Sequence, residues 1–222
     1  MIDNMLEESN ENTWINIADI MSALMMVFMF ITVAFIYQLN HQKIANNELA
    51  DIYRVKLNEA LHDEFDADLI KWEATITKDN IFRFSAPFAT GSSEMSVEFK
   101  QIISTFFPRY IALLTKDKFK GKIEEIRIEG HTSGGWGGNV SADDSYINNM
   151  YLSQHRASKV LDYSYRLHDY SVQKNKKWLK KYLRANGMSF SNLIYKSTEH
   201  LIEDKDRSRR VEFRVISQNI QN

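Results

Sequence analysis

Cysteine is absent from the 222 residues, and the two charge signs nearly balance, to a formal net charge of −1. Without cysteine the chain forms no disulfide, offers no thiolate to a metal ion and has no cysteine nucleophile. The charge balance argues against direct nucleic-acid binding, because a general nucleic-acid binder is expected to carry a strongly basic face. The lack of cysteine is compatible with an oxidising compartment but does not fix one.

Proline and glycine are also scarce, and the first of each, Pro87 and Gly91, come late in the chain. Nothing before them obliges a helix to stop. Residues 41–72 are rich in helix formers and carry apolar side chains at mostly three- and four-residue steps, which is typical of an amphipathic helix. We expect a helical connector over residues 40–78. Its apolar stripe either packs on the domain that follows or pairs with a second copy in a dimer, and the sequence leaves both open.

Charge is missing from one long stretch, since no residue between Ile20 and Leu39 is charged. A membrane span needs roughly 20 apolar residues to cross about 30 Å of hydrocarbon. We predict a transmembrane helix over residues 17–39 after a short tail of residues 1–16, with Trp14 at the headgroup level. A cleaved signal peptide would need a basic start and a small-residue cleavage site, and the sequence offers neither. The span is therefore expected to remain as an anchor.

One acid, Asp19, lies inside this span, roughly 7 Å deeper than Trp14. An ionisable side chain in hydrocarbon is costly unless it faces protein or water, so it counts as functional by default. The alternative is that Asp19 lies at the interface and snorkels or caps the helix. We predict Asp19 and Ser22 as the ion-translocating residues. Ser22, one turn further on, is placed to hydrogen-bond either the Asp19 carboxyl or a carbonyl of its own helix.

From residue 79 the pattern becomes mixed, and we predict one domain over residues 79–222. Strands are expected at residues 81–84, 123–129, 192–196 and 210–216, and helices near residues 96–114, 149–167 and 172–185. Residues 185–187 resemble a helix stop, and Asn149 is a candidate N-cap. Strands alternating with helices indicate a small mixed sheet covered by helices, so the predicted fold class is α/β (α+β).

The glycine-rich segment at residues 134–138 lacks the Gly-Lys-Ser/Thr ending and the helix start of a phosphate-binding loop. A flexible loop that presents Trp136 fits it better. Glu129 and His131 share a strand face, but two potential ligands make a weak metal signal. No serine, histidine and aspartate set has a recognisable nucleophile context. We therefore predict no enzymatic activity, no metal site and no cofactor other than a transported ion, either a proton or sodium.

Three separated motifs resemble the peptidoglycan-binding domain shared by OmpA, Pal and the flagellar stator protein MotB. They are Ile-Glu-Gly-His-Thr at 128–132, Asn-Met-Tyr-Leu-Ser-Gln-His-Arg-Ala at 149–157 and Asp-Arg-Ser-Arg-Arg-Val-Glu-Phe at 206–213. Phe-Ala-Thr-Gly-Ser-Ser-Glu-Met at 88–95 resembles the segment that precedes the first helix of that domain. Trp14 followed by Ala-Asp-Ile-Met-Ser-Ala-Leu-Met at 18–25 resembles the entry of the MotB span. With its short acidic tail and compact build, the chain most resembles the ZorB family of Zorya anti-phage systems.

The resemblance implies a stator-type subunit of a proton-driven inner-membrane motor that is anchored to peptidoglycan and acts in anti-phage defence. The implied partners are a second copy of the chain, a pentameric multi-span protein of the MotA, ExbB or ZorA kind, and, indirectly, cytoplasmic effector proteins. Two alternatives stay open. One is a flagellar MotB-type stator subunit, and the other is a passive peptidoglycan-anchoring membrane protein, which would have no use for Asp19.

The resemblance also implies a binding site. In the family, an Asp that follows the His-Thr pair and an Arg of the next motif clamp the diaminopimelate of the peptide stem. Arg156 matches the Arg, whereas Ser133 stands at the Asp position and removes the counter-charge for the ammonium group of the ligand. Asp143 and Asp144 are candidates to replace it, and the alternative for Arg156 is an ordinary solvated side chain. The implied peptidoglycan-binding residues are Thr132, Ser133, Asn149, Leu152, Arg156 and Arg210. The family role of Arg210 is either structural or adjacent to the ligand, and the sequence leaves both open.

The family location is the inner membrane, crossed once, with the N-terminus in the cytoplasm and the C-terminal domain in the periplasm. The first positive charges, Lys43, Arg54 and Lys56, all follow the span, and the positive-inside rule alone would favour the opposite orientation. A wall-binding domain needs the periplasm, so we expect the family orientation.

Overall fold

The computed structural model describes residues 2–85, 87–197 and 202–217. Met1 of the predicted tail, and residues 86, 198–201 and 218–222 of the predicted domain, lie outside the described residues. The first element is helix α1, Ile2–Leu69. It contains neither proline nor glycine, in keeping with the prediction that nothing in this part of the chain interrupts a helix. The chain divides into two units, residues 1–49 and residues 50–222.

The second unit contains seven described strands. They are β1 (Ala74–Ile76), β2 (Ile81–Ser85), β3 (Ile123–Gly130), β4 (Leu183–Gly187), β5 (Tyr195–Ser197), β6 (Ile202–Glu203) and β7 (Arg210–Ser217). Five of them form one sheet in the order β1-β2-β7-β3-β4, while β5 pairs with β6. Within the large sheet β3 and β4 run parallel, and the other neighbours are antiparallel. The predicted fold class, a small mixed sheet combined with helices, is confirmed.

Six further helices accompany the sheet. They are α2 (Val97–Leu114), α3 (Asp117–Lys120), α4 (Ala142–Arg166), α5 (Tyr170–Lys174), α6 (Lys176–Tyr182) and α7 (Lys205–Ser208). The hydroxyl of Ser141 caps α4 by accepting a hydrogen bond from the N–H of Asp144 at 3.0 Å. The prediction of Asn149 as the cap is therefore wrong, because the helix begins earlier and Asn149 lies within it.

One face of the sheet carries the apolar core. Strand β7 directs Val211, Phe213 and Val215 to this face at the period of two that the alternation of a strand dictates. Phe106 of α2 covers it, with its ring centroid 5.1 Å from Phe213 and 4.6 Å from Phe82. The core is therefore an aromatic layer between the sheet and α2.

The last part of α1 belongs to the same core. Tyr53, Leu57, Leu61 and Phe65 recur every four residues, so they share one face of the helix, and all four are buried. The Phe65 ring lies 5.4 Å from Phe82 and 5.3 Å from Phe106. Over this stretch the connector packs on its own domain, which is one of the two alternatives that the sequence left open. Strand β1 then follows, where the sequence predicted helix as far as residue 78.

Two predicted elements are corrected. The single helix expected over residues 172–185 is divided into α5 and α6 and ends at Tyr182. Residues 185–187, expected to be a helix stop, belong to β4, where Ala185 pairs with Ile128 of β3. This pairing joins distant parts of the chain, so the local pattern does not reveal it. The strand expected at residues 192–196 is found only from Tyr195 to Ser197.

Candidate functional site

The first unit presents an apolar helical surface. Every side chain from Trp14 to Ala45 is exposed, and the helix is long and apolar enough to cross a membrane. Asp19 lies within this surface, and Ser22, three residues further on, shares its face of the helix. The hydroxyl of Thr32 donates to the carbonyl of Phe28, one turn earlier in the same helix, at 2.7 Å. A bond of this kind to its own helix is one of the two alternatives for Ser22. Among the described residues Ser22 makes no such bond.

The second unit contains a cleft of about 520 Å³ at one end of the sheet. Four segments line it: the loop after β2, the loop after β3, helix α4, and the region of α7. Five of the six residues that the resemblance assigned to peptidoglycan meet in this cleft, and they are Thr132, Ser133, Asn149, Leu152 and Arg156. The motifs that are separated in the sequence are therefore adjacent in the fold.

Two glycines set the position of α4 over the sheet. A Cβ atom on Gly130, at the end of β3, would lie 2.2 Å from the carbonyl oxygen of Ser153. A Cβ atom on Gly187, at the end of β4, would lie 2.6 Å from the backbone nitrogen of Gln154. Only glycine allows the helix backbone to come so close. The side chain of Gln154 also accepts the N–H of Gly187 at 2.7 Å, so α4 is held against the strand ends beside the cleft.

Arg156 is the most deeply placed cation of the cleft, with only 1% of its surface exposed. Its Nε donates to the carbonyl of Ser92 at 2.8 Å and its Nη2 to the carbonyl of Ala89 at 3.0 Å. Its guanidinium carbon lies 5.1 Å from the centre of the Phe88 ring. Burial lowers the pKa of Arg156 to about 10, and the positive charge of Arg209 contributes. Arg156 therefore anchors the loop after β2, and it is not a solvated side chain.

The loop after β3 is held by backbone and amide contacts. The N–H of Thr132 donates to the carbonyl of Ser189 at 2.9 Å, while the side-chain amide of Asn149 donates to the carbonyl of Gly135 at 2.8 Å. The hydroxyl of Thr132 is buried and has no hydrogen-bond partner among the described residues. Trp136 also lines the cleft and is partly exposed, as the loop interpretation predicted.

Sequence reasoning missed two cations of the cleft, Lys205 and Arg209. Lys205 lies directly before the Asp-Arg-Ser-Arg-Arg motif and Arg209 lies within it, and α7 turns both towards residues far away in the chain. The acids considered as replacements for the family Asp, Asp143 and Asp144, are exposed and lie outside the lining. Asp144 instead accepts a hydrogen bond from the hydroxyl of Ser141 at 2.7 Å.

Arg210, the sixth predicted residue, is not part of the lining. It is buried on the polar face of the sheet, and its Nε donates to Glu212 at 2.6 Å. Burial lowers the pKa of the Arg210 guanidinium. Residues 209 and 210 are adjacent in the sequence, so their side chains take different directions, and only Arg209 reaches the cleft.

Glu129, His131 and Glu212 also lie together on this polar face, and all three are buried. The side chain of His131 lies 3.7 Å from a carboxylate oxygen of each glutamate. Arg214, however, donates from a single nitrogen, Nη2, to both carboxylates, at 3.1 Å to Glu129 and 3.3 Å to Glu212. A guanidinium therefore already supplies the positive charge between the two acids, and the cluster forms an ionic network within the sheet.

Comparison with known proteins identifies the family. No protein-family model matches the chain. The Zorya protein ZorB of Escherichia coli Crooks is 39% identical over 218 residues, which cover 95% of this chain and 90% of the relative. The Zorya protein ZorB of Escherichia coli O139:H28 is 25% identical over 218 residues, which cover 94% of this chain and 82% of the relative. A solved MotB-like protein from Desulfovibrio vulgaris is 18% identical, with a TM-score of 0.48, over 76% of this chain and 96% of that one. The 39% identity to ZorB over almost the whole chain confirms the resemblance that the motifs indicate, and the chain belongs to the ZorB family.

Proposed function

We propose that this chain is a stator-type subunit of a proton-driven motor in the inner membrane and that the motor acts in anti-phage defence. Two copies stand inside a pentameric ring of multi-span partners of the ZorA kind. The N-terminus lies in the cytoplasm, and the domain in the periplasm holds the subunit to peptidoglycan. Cytoplasmic effector proteins receive the output of the motor indirectly.

The observation that carries the proposal is the position of Asp19 on an exposed apolar helix. Hydrocarbon disfavours the charged form of a carboxylic acid, so such a group can take up and release a proton as its surroundings change. One elementary charge that crosses the membrane potential delivers about 2.3 kcal/mol per 100 mV. If the partner ring exposes Asp19 to each side in turn, this energy steps the ring around the two helices. A passive anchor has no need of the acid.

The cleft supports the anchoring half of the proposal. Arg156, Thr132 and Asn149 converge there, as the resemblance to peptidoglycan-binding domains implies. The free nitrogen of Arg156, Nη1, makes no hydrogen bond to a described residue and is the group we assign to a carboxylate of the peptide stem. Anchoring fixes the chain, so that the partner ring is the part that turns.

The test is Asp19→Asn in the complete operon. Asparagine keeps the shape of the side chain but cannot exchange a proton, so we expect protection against phage plaquing to be lost. Membrane insertion and co-purification with the ring partner should be unchanged. Thr32→Val is the matched control in the same helix, because the Thr32 hydroxyl is bonded to the carbonyl of Phe28, and this variant should retain protection. Full protection by the Asp19→Asn variant would end the ion-coupling proposal.

The biological assignment is tested by deleting the gene. We expect swimming to be unchanged and phage plaquing to rise. A swimming defect that this chain rescues would instead assign it to the flagellar stator, with ion coupling intact. A fluorescent reporter that is dark in the periplasm, fused to the N-terminus, should fluoresce, and a dark fusion would contradict the proposed orientation.

A further inference from the structure

The cleft has an unbalanced charge. Three cations line it, Arg156, Lys205 and Arg209, and no acidic side chain occurs among its described lining residues. Lys205 makes no ion pair with a described residue, and Arg156 is bonded only to carbonyl groups. The positive charge of this site is thus left largely for a ligand to neutralise.

Two acids outside the lining are already bonded to groups of the cleft. Asp206 pairs with the Nη2 of Arg209, but its side chain is 82% exposed and does not line the cleft. Glu203 accepts the backbone N–H of Gly134 at 2.9 Å and also lies outside the lining. Arg156 and Arg209 are near enough for the charge of Arg209 to lower the pKa of Arg156. An anion between the two guanidiniums would relieve this repulsion.

Two unpaired polar groups of the cleft can donate hydrogen bonds to a ligand. Nη1 of Arg156 has no partner among the described residues, and neither has the buried hydroxyl of Thr132. Buried polar groups are normally hydrogen-bonded, so an orphaned hydroxyl that belongs to the same cleft as a free guanidinium nitrogen indicates a ligand oxygen. Within the described lining, no carboxylate is present that would receive an ammonium group.

We propose that the cleft binds a dicarboxylate and offers no carboxylate to pair with an ammonium group. The proposal rests on the proposed function, in which the ligand is the peptide stem of peptidoglycan, and it specifies which groups of the stem are recognised. The carboxylates are bound by Arg156 and by the pair Lys205 and Arg209. Ser133 is the specificity-determining residue, because it leaves the amine of the stem without a counter-charge.

Pimelate and meso-diaminopimelate separate the two modes of recognition, since they share the seven-carbon dicarboxylate and differ only in two ammonium groups. The affinity of the full chain in detergent for each compound can be measured by saturation-transfer NMR at fixed ionic strength. We expect pimelate to bind at least as tightly as diaminopimelate. Tighter binding of diaminopimelate by about tenfold, the effect of one charged contact, would overturn the proposal, and so would failure of both compounds to bind.

Matched variants make the result specific. Arg209→Met should weaken pimelate binding by about tenfold, whereas Arg207→Met, which changes an exposed residue of α7 two positions earlier, should leave pimelate binding unchanged. Ser133→Asp should reverse the preference towards diaminopimelate, and an unchanged preference in this variant counts against the role of Ser133. The wild-type chain should also sediment with purified peptidoglycan. Loss of sedimentation would defeat wall anchoring, whereas sedimentation together with a preference for diaminopimelate would defeat only the present inference.

Discussion

At the scale of single residues, the ionic network of the sheet makes stability depend on pH. Burial raises the pKa of Glu129, but His131 and the hydrogen bonds from Arg214 outweigh it and lower the pKa to about 2. A carboxylate with a folded pKa below its ordinary value stabilises the fold above that ordinary value. We therefore expect the free energy of unfolding to fall by about 3 kcal/mol as the pH decreases from about 5 towards 2.

The measurement is thermal unfolding followed by intrinsic fluorescence at a series of pH values. Glu129→Gln should flatten the acid dependence, while Glu124→Gln, an exposed residue of the same strand, should preserve it. Burial also lowers the pKa of His131, so protonation of this group in acid adds to the loss. Equal Tm values at the two ends of the pH series would show that the network contributes nothing.

The residues of the cleft show how far motif reasoning reaches. Arg156, Thr132 and Asn149 were identified because they belong to motifs that the family shares. Lys205 and Arg209 were missed because their approach to the cleft depends on α7, a helix of only four residues. So short a helix leaves no periodic signal. Arg210 was assigned to the same site from its motif, but it lies on the polar face of the sheet, and only the fold distinguishes it from Arg209.

At the scale of elements, helix α1 is also a component of the domain core. Leu61 is fully buried, and removing its side chain leaves a cavity among packed aromatic rings. We expect Leu61→Ala to lower the free energy of unfolding by about 2–5 kcal/mol, the usual cost of a large-to-small change in a core. Chemical denaturation of the purified chain and of the variant measures this difference in the free energy of unfolding.

Leu49 of the same helix provides the control, because its side chain is about half exposed. Leu49→Ala should change the stability of the domain by well under about 1 kcal/mol. If both variants lost the same stability, the helix would not be packed on the domain in the way described. If only Leu49→Ala weakened association of two copies, that part of the connector would form the dimer contact.

The elements that local patterns predict are those with strong periodicity. Strand β7 alternates charged and apolar residues from Arg210 to Val215, and α2 carries a continuous apolar face, so both lie where the sequence predicts them. The sequence pattern predicts the end of a helix where β4 lies, because residues Leu183 to Gly187 continue a lysine-rich amphipathic run. Its conformation depends on pairing with β3, and no pattern within five residues carries that information.

At the scale of the whole molecule, the proposed motor requires a defined stoichiometry. We expect native mass spectrometry of the complex purified from membranes to give two copies of this 26.0 kDa chain for five copies of the multi-span partner. The reason is that two Asp19-bearing helices inside a ring of five cannot both face equivalent positions, which is the mismatch a stepping motor needs. Asp19→Asn should leave this ratio unchanged, and a complex with a single copy would contradict the dimer.

The core of the domain includes residues that precede residue 79. The sequence predicts the domain from residue 79, where the first strong strand pattern begins. The structure places Tyr53, Leu57, Leu61, Phe65 and Trp72 in the same core. A fragment that starts at residue 79 would expose the surface these residues cover, so wall-binding experiments need a chain that includes them.

Strand β7, the last described strand of the chain, is also the middle strand of the five-stranded sheet, between β2 and β3. Ribosomal synthesis makes residues 210–217 after the other described strands, so the sheet cannot close until these residues emerge. A product that stops before residue 210 has two separate strand pairs, β1 with β2 and β3 with β4, and isolated pairs are at best marginally stable in water. Chains that lack β7 would thus remain open to proteases, and only copies that contain it would survive to enter the membrane complex.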